Sequence, residues 1–492
     1  MERRRVRPRT RIERDSLGAK AVPAGALYGI FTQRARETFA LSGLRAHPAF
    51  IGSLGMIKKA AAQTNRRLGA LPSRLARAIE WAADQVIANR VDEAFVLDVF
   101  QAGAGTPHHM NANEVIANLA NERLGRRRGA YDPVHPNNHV NLAQSSNDVT
   151  PTAARLTALY LLMPLRQEVS LLERAFRTRA RADLRVVKPG RTHLQDAVPI
   201  TFGQVFTGYA EALARARRRL DGSRRDLLEI GLGGTAVGTG ITAHPRFRRL
   251  CVRALARIAR LPLRAARSPV ETTWNMTPLS GCSAALRELA LTVSKICFDL
   301  RLLASGPHTG LGEVRLPPVE PGSSIMPGKI NPSVPEAVQM VCFQIIGNDL
   351  AVARAGEAGE LELNVMTPLI AFDLWWSLEL LTNAVRLLRT RCVEGLSADR
   401  RRARTLVEES LIEATALSPY LGYDVTASLV KEALARRRPL RETVLARGLV
   451  APAVLDRLLS PAALTRPQRL DRALRRRVQA TPAFKALKKG VN

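Results

Sequence analysis

Two apolar stripes constrain the fold of this chain more than any other feature of its sequence. Leu286, Leu289, Val293, Ile296, Leu300 and Leu303 recur at a 3-4-3-4-3 spacing. Leu374, Leu378, Leu381, Val385 and Leu388 recur at 4-3-4-3. A helix of 3.6 residues per turn places each set on one face. Stripes this long suit extended helices packed as a bundle. They predict one helix over about 283–304 and another across Leu374–Leu388. The segment from Pro151 to about Arg181 shares the pattern. Pro151 fits a helix's first turn, and Pro164 predicts a kink. A further helix is expected from about Gly203 to Ile230.

Composition agrees with a helical chain. Hydrophobic residues make up 46% of the 492, enough for large cores, and aromatics only 5%. That aromatic share argues against a β-sandwich or barrel and fits a chain rich in Ala, Leu and Arg. The length allows about three domains. No apolar run approaches the roughly 18 residues that span a bilayer, so a membrane protein is not expected. The cysteines, Cys251, Cys282, Cys297, Cys342 and Cys392, are odd in number and widely separated. Neither a disulfide framework nor a zinc site follows from that spacing, and a reducing, cytoplasmic compartment does. The basic start Met1-Glu-Arg-Arg-Arg-Val-Arg lacks the apolar stretch of a signal peptide.

The net charge is +31, and only 10 of the 74 basic residues are lysines. Phosphate neutralisation by a nucleic-acid binder is one reading. The arginines are spread along the chain without interleaved aromatics and without a nucleic-acid motif, so a solvated, arginine-rich surface is the better one. Under either reading a positive field favours the approach of small dianions.

Polar chemistry gathers in loops between the helices: Gln101–Gly105, Asp132–Asn147, Lys188–Pro199, Gly231–Gly240 and Pro317–Pro335. The richest is Gly322-Ser-Ser-Ile-Met-Pro-Gly-Lys-Ile-Asn-Pro-Ser-Val-Pro-Glu336. Two adjacent hydroxyls, an ammonium and a carboxamide share a backbone shaped by glycines and prolines. Small residues let backbone N–H groups approach an anion, and Lys329 supplies the countercharge. A surface turn holding a stray lysine is the plainer alternative. After about Glu394 the pattern changes to shorter helices, and about Pro467–Asn492 reads as a basic tail. The chain divides into an N-terminal, mainly helical part (1–144), a central long-helix part (145–400) and a small C-terminal helical part (401–492).

The loop string GSSIMPGKINP resembles the signature of the fumarase/aspartase superfamily. Three more segments resemble that superfamily's active-site segments, in the same order. They are Gln101-Ala-Gly-Ala-Gly-Thr-Pro-His-His-Met-Asn-Ala-Asn-Glu-Val, Gln144-Ser-Ser-Asn-Asp148 and Gly190-Arg-Thr-His-Leu-Gln-Asp-Ala197. The resemblance runs from about Ile12 to about Pro467. It implies an all-α protein with a central bundle of long helices, assembled as a homotetramer whose active sites each draw on three subunits. It implies no metal or organic cofactor, and anti-elimination from a small C4 dicarboxylate through an aci-carboxylate intermediate.

Residue by residue, the resemblance makes Ser323 the base, with Ser324 and the loop N–H groups stabilising the dianion. Lys329 and Asn331 would hold the carboxylate on the carbon bearing the leaving group. Thr106, Ser145 and Ser146 would hold the other carboxylate. Thr192, His193 and Asn147 would surround the leaving group, and Glu336 would pair with His193 across a subunit boundary. Plainer roles stay open. Ser145 and Ser146 suit a helix cap, His193 a satisfied polar position, and Glu336 a surface carboxylate. The tandem His108 and His109 invite a metal, but no third ligand has suitable spacing.

The chain departs from the superfamily's pattern at Pro107, His108 and His109, where small polar residues are usual. Leu194-Gln-Asp-Ala-Val-Pro199 and Glu357-Ala-Gly-Glu-Leu-Glu-Leu-Asn-Val-Met-Thr-Pro368 resemble the ammonia-lyase branch acting on aspartate. Ser145-Ser146, Val134-His-Pro-Asn137 and Gly233–Gly240 resemble the class II fumarate hydratases. The first branch is the expected one and the second the alternative. A nucleic-acid binder on a lyase scaffold is the alternative from another class.

Overall fold

The computed structural model describes residues 9–490, so most of the basic N-terminal start lies outside the described residues. The fold is all-α, with about 62% of the chain helical. Five helices of 25 residues or more dominate: Ser146–Ala182, Phe202–Leu227, Thr277–Leu303, Ser333–Glu357 and Thr367–Arg391. Every residue of the two sequence stripes is buried, with Leu286, Leu289, Val293 and Leu300 at 0% exposure. Burying one such Leu or Val contributes about 1.5–3 kcal/mol, so the stripes alone explain why these segments stay helical.

The chain forms two compact units. Unit 1 comprises 1–168, 216–291 and 341–383; unit 2 comprises 169–215, 292–340 and 384–492. All five long helices contribute residues to both units. In unit 1, the helix Pro48–Arg67 packs against Ser73–Ile87 and Phe247–Ala259, and Ser73–Ile87 also packs against Thr106–Arg123. In unit 2, short helices after Arg400 share a core that includes Leu417, Leu429, Val444 and Leu455.

Three local expectations are corrected. Pro151 is the sixth residue of its helix rather than a first-turn residue, because the helix begins at Ser146. Residues 188–199 are not an irregular loop: Val187–Thr192 and Gln195–Thr201 pair as an antiparallel hairpin. The tail after Pro467 is folded. It carries the helices Arg472–Ala480 and Pro482–Lys489, whose Leu474, Val478 and Phe484 join the C-terminal core. Their apolar residues are few but regularly placed, and the surrounding arginines and lysines mask the period. No described helix is long and apolar enough to cross a membrane.

Candidate active site

The candidate residues fall on three structural elements, each built for a clear local reason. The first, in unit 1, joins two helix starts. Thr106 opens the helix Thr106–Arg123, and Pro107 follows where a missing N–H is tolerated. The preceding turn needs a left-handed residue at Gly105, with φ 69°, and a Cβ there would lie 2.6 Å from Thr150 Cγ2. At the second helix start, Ser145 Oγ accepts the Asn147 N–H at 3.3 Å, and Asp148 Oδ1 accepts the Ser145 N–H at 3.0 Å. This reciprocal arrangement is a capping box. Ser145 therefore does cap its helix, while its own hydroxyl proton stays available to an acceptor.

Asp148 also ties down the neighbouring glycine-rich loop. Its Oδ2 accepts N–H groups from Gly233 at 2.9 Å and Thr235 at 3.0 Å. Burial pushes this carboxyl up to about 6, against the pull of these N–H donors and of Lys58. Asn147 donates to the Ala236 carbonyl at 2.8 Å, which fixes its amide beside the same loop.

Ser146 does something different from Ser145. Its Oγ meets His109 Nδ1 at 2.8 Å, and His109 Nε2 meets the Lys58 ammonium nitrogen at 2.5 Å. His109 and Lys58 are buried. His108 is also buried, and it is occupied by Gln101, whose Oε1 accepts the His108 N–H at 3.0 Å. Burial lowers the His108 imidazole to about 4, so it is neutral near pH 7. Among the described residues, no group of three or more His, Cys, Asp or Glu is placed to hold a metal ion.

The second element is the hairpin of unit 2. Thr192 closes its first strand, and His193 and Leu194 form a two-residue turn with φ values of 56° and 60°. Both residues are left-handed, as a tight hairpin turn requires, and neither is glycine. Such a conformation is strained for a branched side chain like Leu194 and persists only where its surroundings hold it. The hold comes from Glu313, fully buried, with Arg191 Nη1 at 2.9 Å and Lys188 Nζ at 3.4 Å. One carboxylate thus anchors two cations of the strand that presents Thr192 and His193. Removing one partner of such a buried pair destabilises by about 3–5 kcal/mol.

The third element is the loop 317–332. Its ends are pinned where Gly322 N donates to the Lys329 carbonyl at 2.9 Å and Asn331 Nδ2 donates to the Gly322 carbonyl at 2.6 Å. A Cβ at Gly322 would collide with that Lys329 carbonyl and lie 2.8 Å from Asn331 N, so only glycine closes the loop. Inside it, Ser323 Oγ accepts the N–H groups of Ile325 at 3.2 Å and Met326 at 3.1 Å. A shallow groove of about 370 Å³ runs beside Ser323 and Lys329. Two N–H donors aimed at one serine oxygen stabilise negative charge there. Asn331, by contrast, uses its amide nitrogen to pin the loop.

Glu336 lies in the first turn of the helix Ser333–Glu357, where its Oε1 is 3.6 Å from Arg301 Nη2 of the same chain. Thr192, His193, Ser324 and Lys329 are exposed in the single chain.

Residues 18–347 match the lyase family, and residues 414–466 match the fumarase C C-terminal family. The chain belongs to the fumarase/aspartase superfamily. This lyase is 47% identical to the aspartate ammonia-lyase of Pseudomonas fluorescens, over 93% of this chain and 96% of that one. It is 44% identical to fumarate hydratase class II 2 of Bradyrhizobium diazoefficiens, over 94% and 98%. Among solved structures it resembles the fumarate lyase:delta crystallin of Brucella melitensis bound to cobalt. That likeness has a TM-score of 0.91 and 45% identity, and covers 93% of this chain and 100% of that one.

Sequence reasoning overlooked Lys58, Gln144, Asp148 and Glu313. Lys58 had a visible signal. It shares a helical face with Leu54 and Ala61, a core position where an unpaired lysine is rare. Glu313 had none, because its partners Lys188 and Arg191 are more than 120 residues away.

Proposed function

We propose that this lyase eliminates ammonia reversibly from L-aspartate to give fumarate. The observation that carries the reading is the Ser323 oxygen seated on two backbone N–H groups in a loop that also bears Lys329. An ordinary serine hydroxyl is too weak an acid to become a base. N–H donors, together with exclusion of water, make its alkoxide reachable. Ser323 takes the proton from the carbon next to one carboxylate. The electron pair moves into that carboxylate, giving the aci-carboxylate dianion. Its return forms the carbon–carbon double bond and expels ammonia.

Ser324, Thr106, Ser145 and Ser146 hold the carboxylate that gains charge, and Lys329 and Asn331 hold the other. Thr192, His193 and Asn147 surround the amine, and Glu336 of a neighbouring subunit faces His193. The kinship with aspartate ammonia-lyase over nearly the whole chain supports ammonia as the leaving group. The kinship with a class II fumarate hydratase favours the second reading, in which malate loses water. Ammonium dependence separates them. With fumarate alone the substrate absorbance should hold steady, and it should fall once ammonium is added. Consumption of fumarate without ammonium would establish the hydratase.

The same reading includes a homotetramer with shared sites, acting in the cytoplasm, where cysteines in no paired spacing suit a reducing environment. Exposed apolar residues line single faces of two long helices and support the assembly. Met340, Phe343 and Leu350 are 60–69% exposed, and Leu291 and Phe298 are 50% and 59% exposed. Spacings of three and seven place each set on one face, in addition to the buried stripes. Sedimentation equilibrium should give four chains per particle. An active monomer would contradict shared sites.

A further inference from the structure

We propose that Lys58 and His109 form a buried relay that sets the direction of the Ser146 hydroxyl, making it a hydrogen-bond donor to a substrate carboxylate. The proposal rests on the reading that Ser146 contacts that carboxylate. It assigns positioning roles to two residues that do not themselves touch substrate.

The relay is continuous. Lys58 Nζ meets three acceptor positions: His109 Nε2 at 2.5 Å, Gln144 Oε1 at 2.9 Å and Asn141 Oδ1 at 3.3 Å. The two amide oxygens are fixed independently. Gln144 Nε2 donates to the Val140 and Leu142 carbonyls at 3.0 and 3.2 Å, and Asn141 Nδ2 donates to the Gln144 carbonyl at 3.4 Å. Both amides therefore turn their oxygens toward Lys58. An ammonium has three protons, one for each acceptor. Its third proton then occupies His109 Nε2. A neutral imidazole carries a single proton, so that proton must sit on Nδ1, where it is donated to Ser146 Oγ at 2.8 Å. With its oxygen accepting from His109, the Ser146 hydroxyl gives its own proton outward.

Electrostatics agrees with this order. His109 is held neutral, well below the usual histidine range, by burial and by Lys58 beside it. Burial also draws the Lys58 ammonium well below its usual range, so its form answers to nearby charge. Asp148 favours the ammonium, and a bound dicarboxylate favours it further. The alternative order has a neutral amine accepting from Nε2–H and the Ser146 proton turned inward to Nδ1. A carboxylate anion would then face an oxygen lone pair.

The test is the calorimetric affinity for succinate, an unreactive C4 dicarboxylate that serves whichever leaving group the enzyme prefers. Ser146→Ala and His109→Phe should each weaken succinate by about tenfold, the loss of one hydrogen bond to a charged group. The double variant should bind no more weakly than Ser146→Ala alone, because His109 acts through Ser146. Lys58→Met should weaken succinate several-fold; it also strands the Gln144 and Asn141 amide oxygens, so its thermal midpoint should fall, and binding is read at a temperature where circular dichroism shows the variant folded. A folded His109→Phe or Lys58→Met protein that binds succinate as the parent does would overturn the relay while leaving Ser146 as a ligand. Independent, multiplying losses in the double variant would also overturn it. Unchanged binding by Ser146→Ala would remove the underlying reading and the relay with it.

Discussion

Replacing Ser323 with alanine should lower kcat by at least about 10³-fold with little change in KM. A positioned general base contributes about 10²–10⁴-fold, and a factor of 10³ corresponds to about 4 kcal/mol of barrier. The carbon acid here is very weak, so the base cannot be replaced by solvent. The substitution removes the oxygen that accepts the Ile325 and Met326 N–H groups but keeps the backbone pins at Gly322 and Asn331. The loop therefore retains its ends, and the residues proposed to bind the dicarboxylate, Lys329, Asn331, Thr106 and Ser145, are left in place. Loss of kcat at near-constant KM is the pattern of an interaction made only in the transition state. Near-normal turnover would place the base elsewhere, and His193 would be the next residue to replace.

Lys329→Ala gives a different signature. In the proposed reading Lys329 supplies the countercharge for the carboxylate on the carbon that bears the amine. A hydrogen bond to a charged group contributes about 1.5–3 kcal/mol, so substrate binding should weaken roughly 10- to 100-fold. Turnover falls as well, because the two carboxylates are no longer held in line with the base. The loop closure uses only the Lys329 backbone, so its shape should survive the loss of the side chain. Steady-state kinetics on both variants, with sedimentation and thermal midpoints matched to the parent, separate the two roles. A KM for Lys329→Ala equal to that of the parent would remove it from the binding site.

The long helices were legible because their apolar period is local. Leu286 through Leu303 and Leu374 through Leu388 lie on the buried faces that their spacing requires. The Ser323 loop was legible because its glycines, prolines and polar residues are contiguous. The hairpin at His193 was not. Its turn lacks the Asn-Gly or Asp-Gly pair that announces a tight hairpin, and its conformation depends on the distant Glu313. The folded tail was hidden for a different reason: three buried residues among many cations define too short a period. The roles of Ser145 and Ser146 were also indistinguishable in sequence. Only the partners, Asn147 N–H for one and His109 for the other, separate the helix cap from the hydroxyl that meets a buried histidine.

The activity proposed for this lyase is elimination of ammonia from an amino dicarboxylate. Its most direct measurement is the ultraviolet absorbance of fumarate when the purified enzyme is given L-aspartate and L-malate in separate reactions. Absorbance should rise with L-aspartate, with ammonia released in equal amount, and stay flat with L-malate. A rise with L-malate and none with L-aspartate would contradict the account and make the protein a fumarate hydratase.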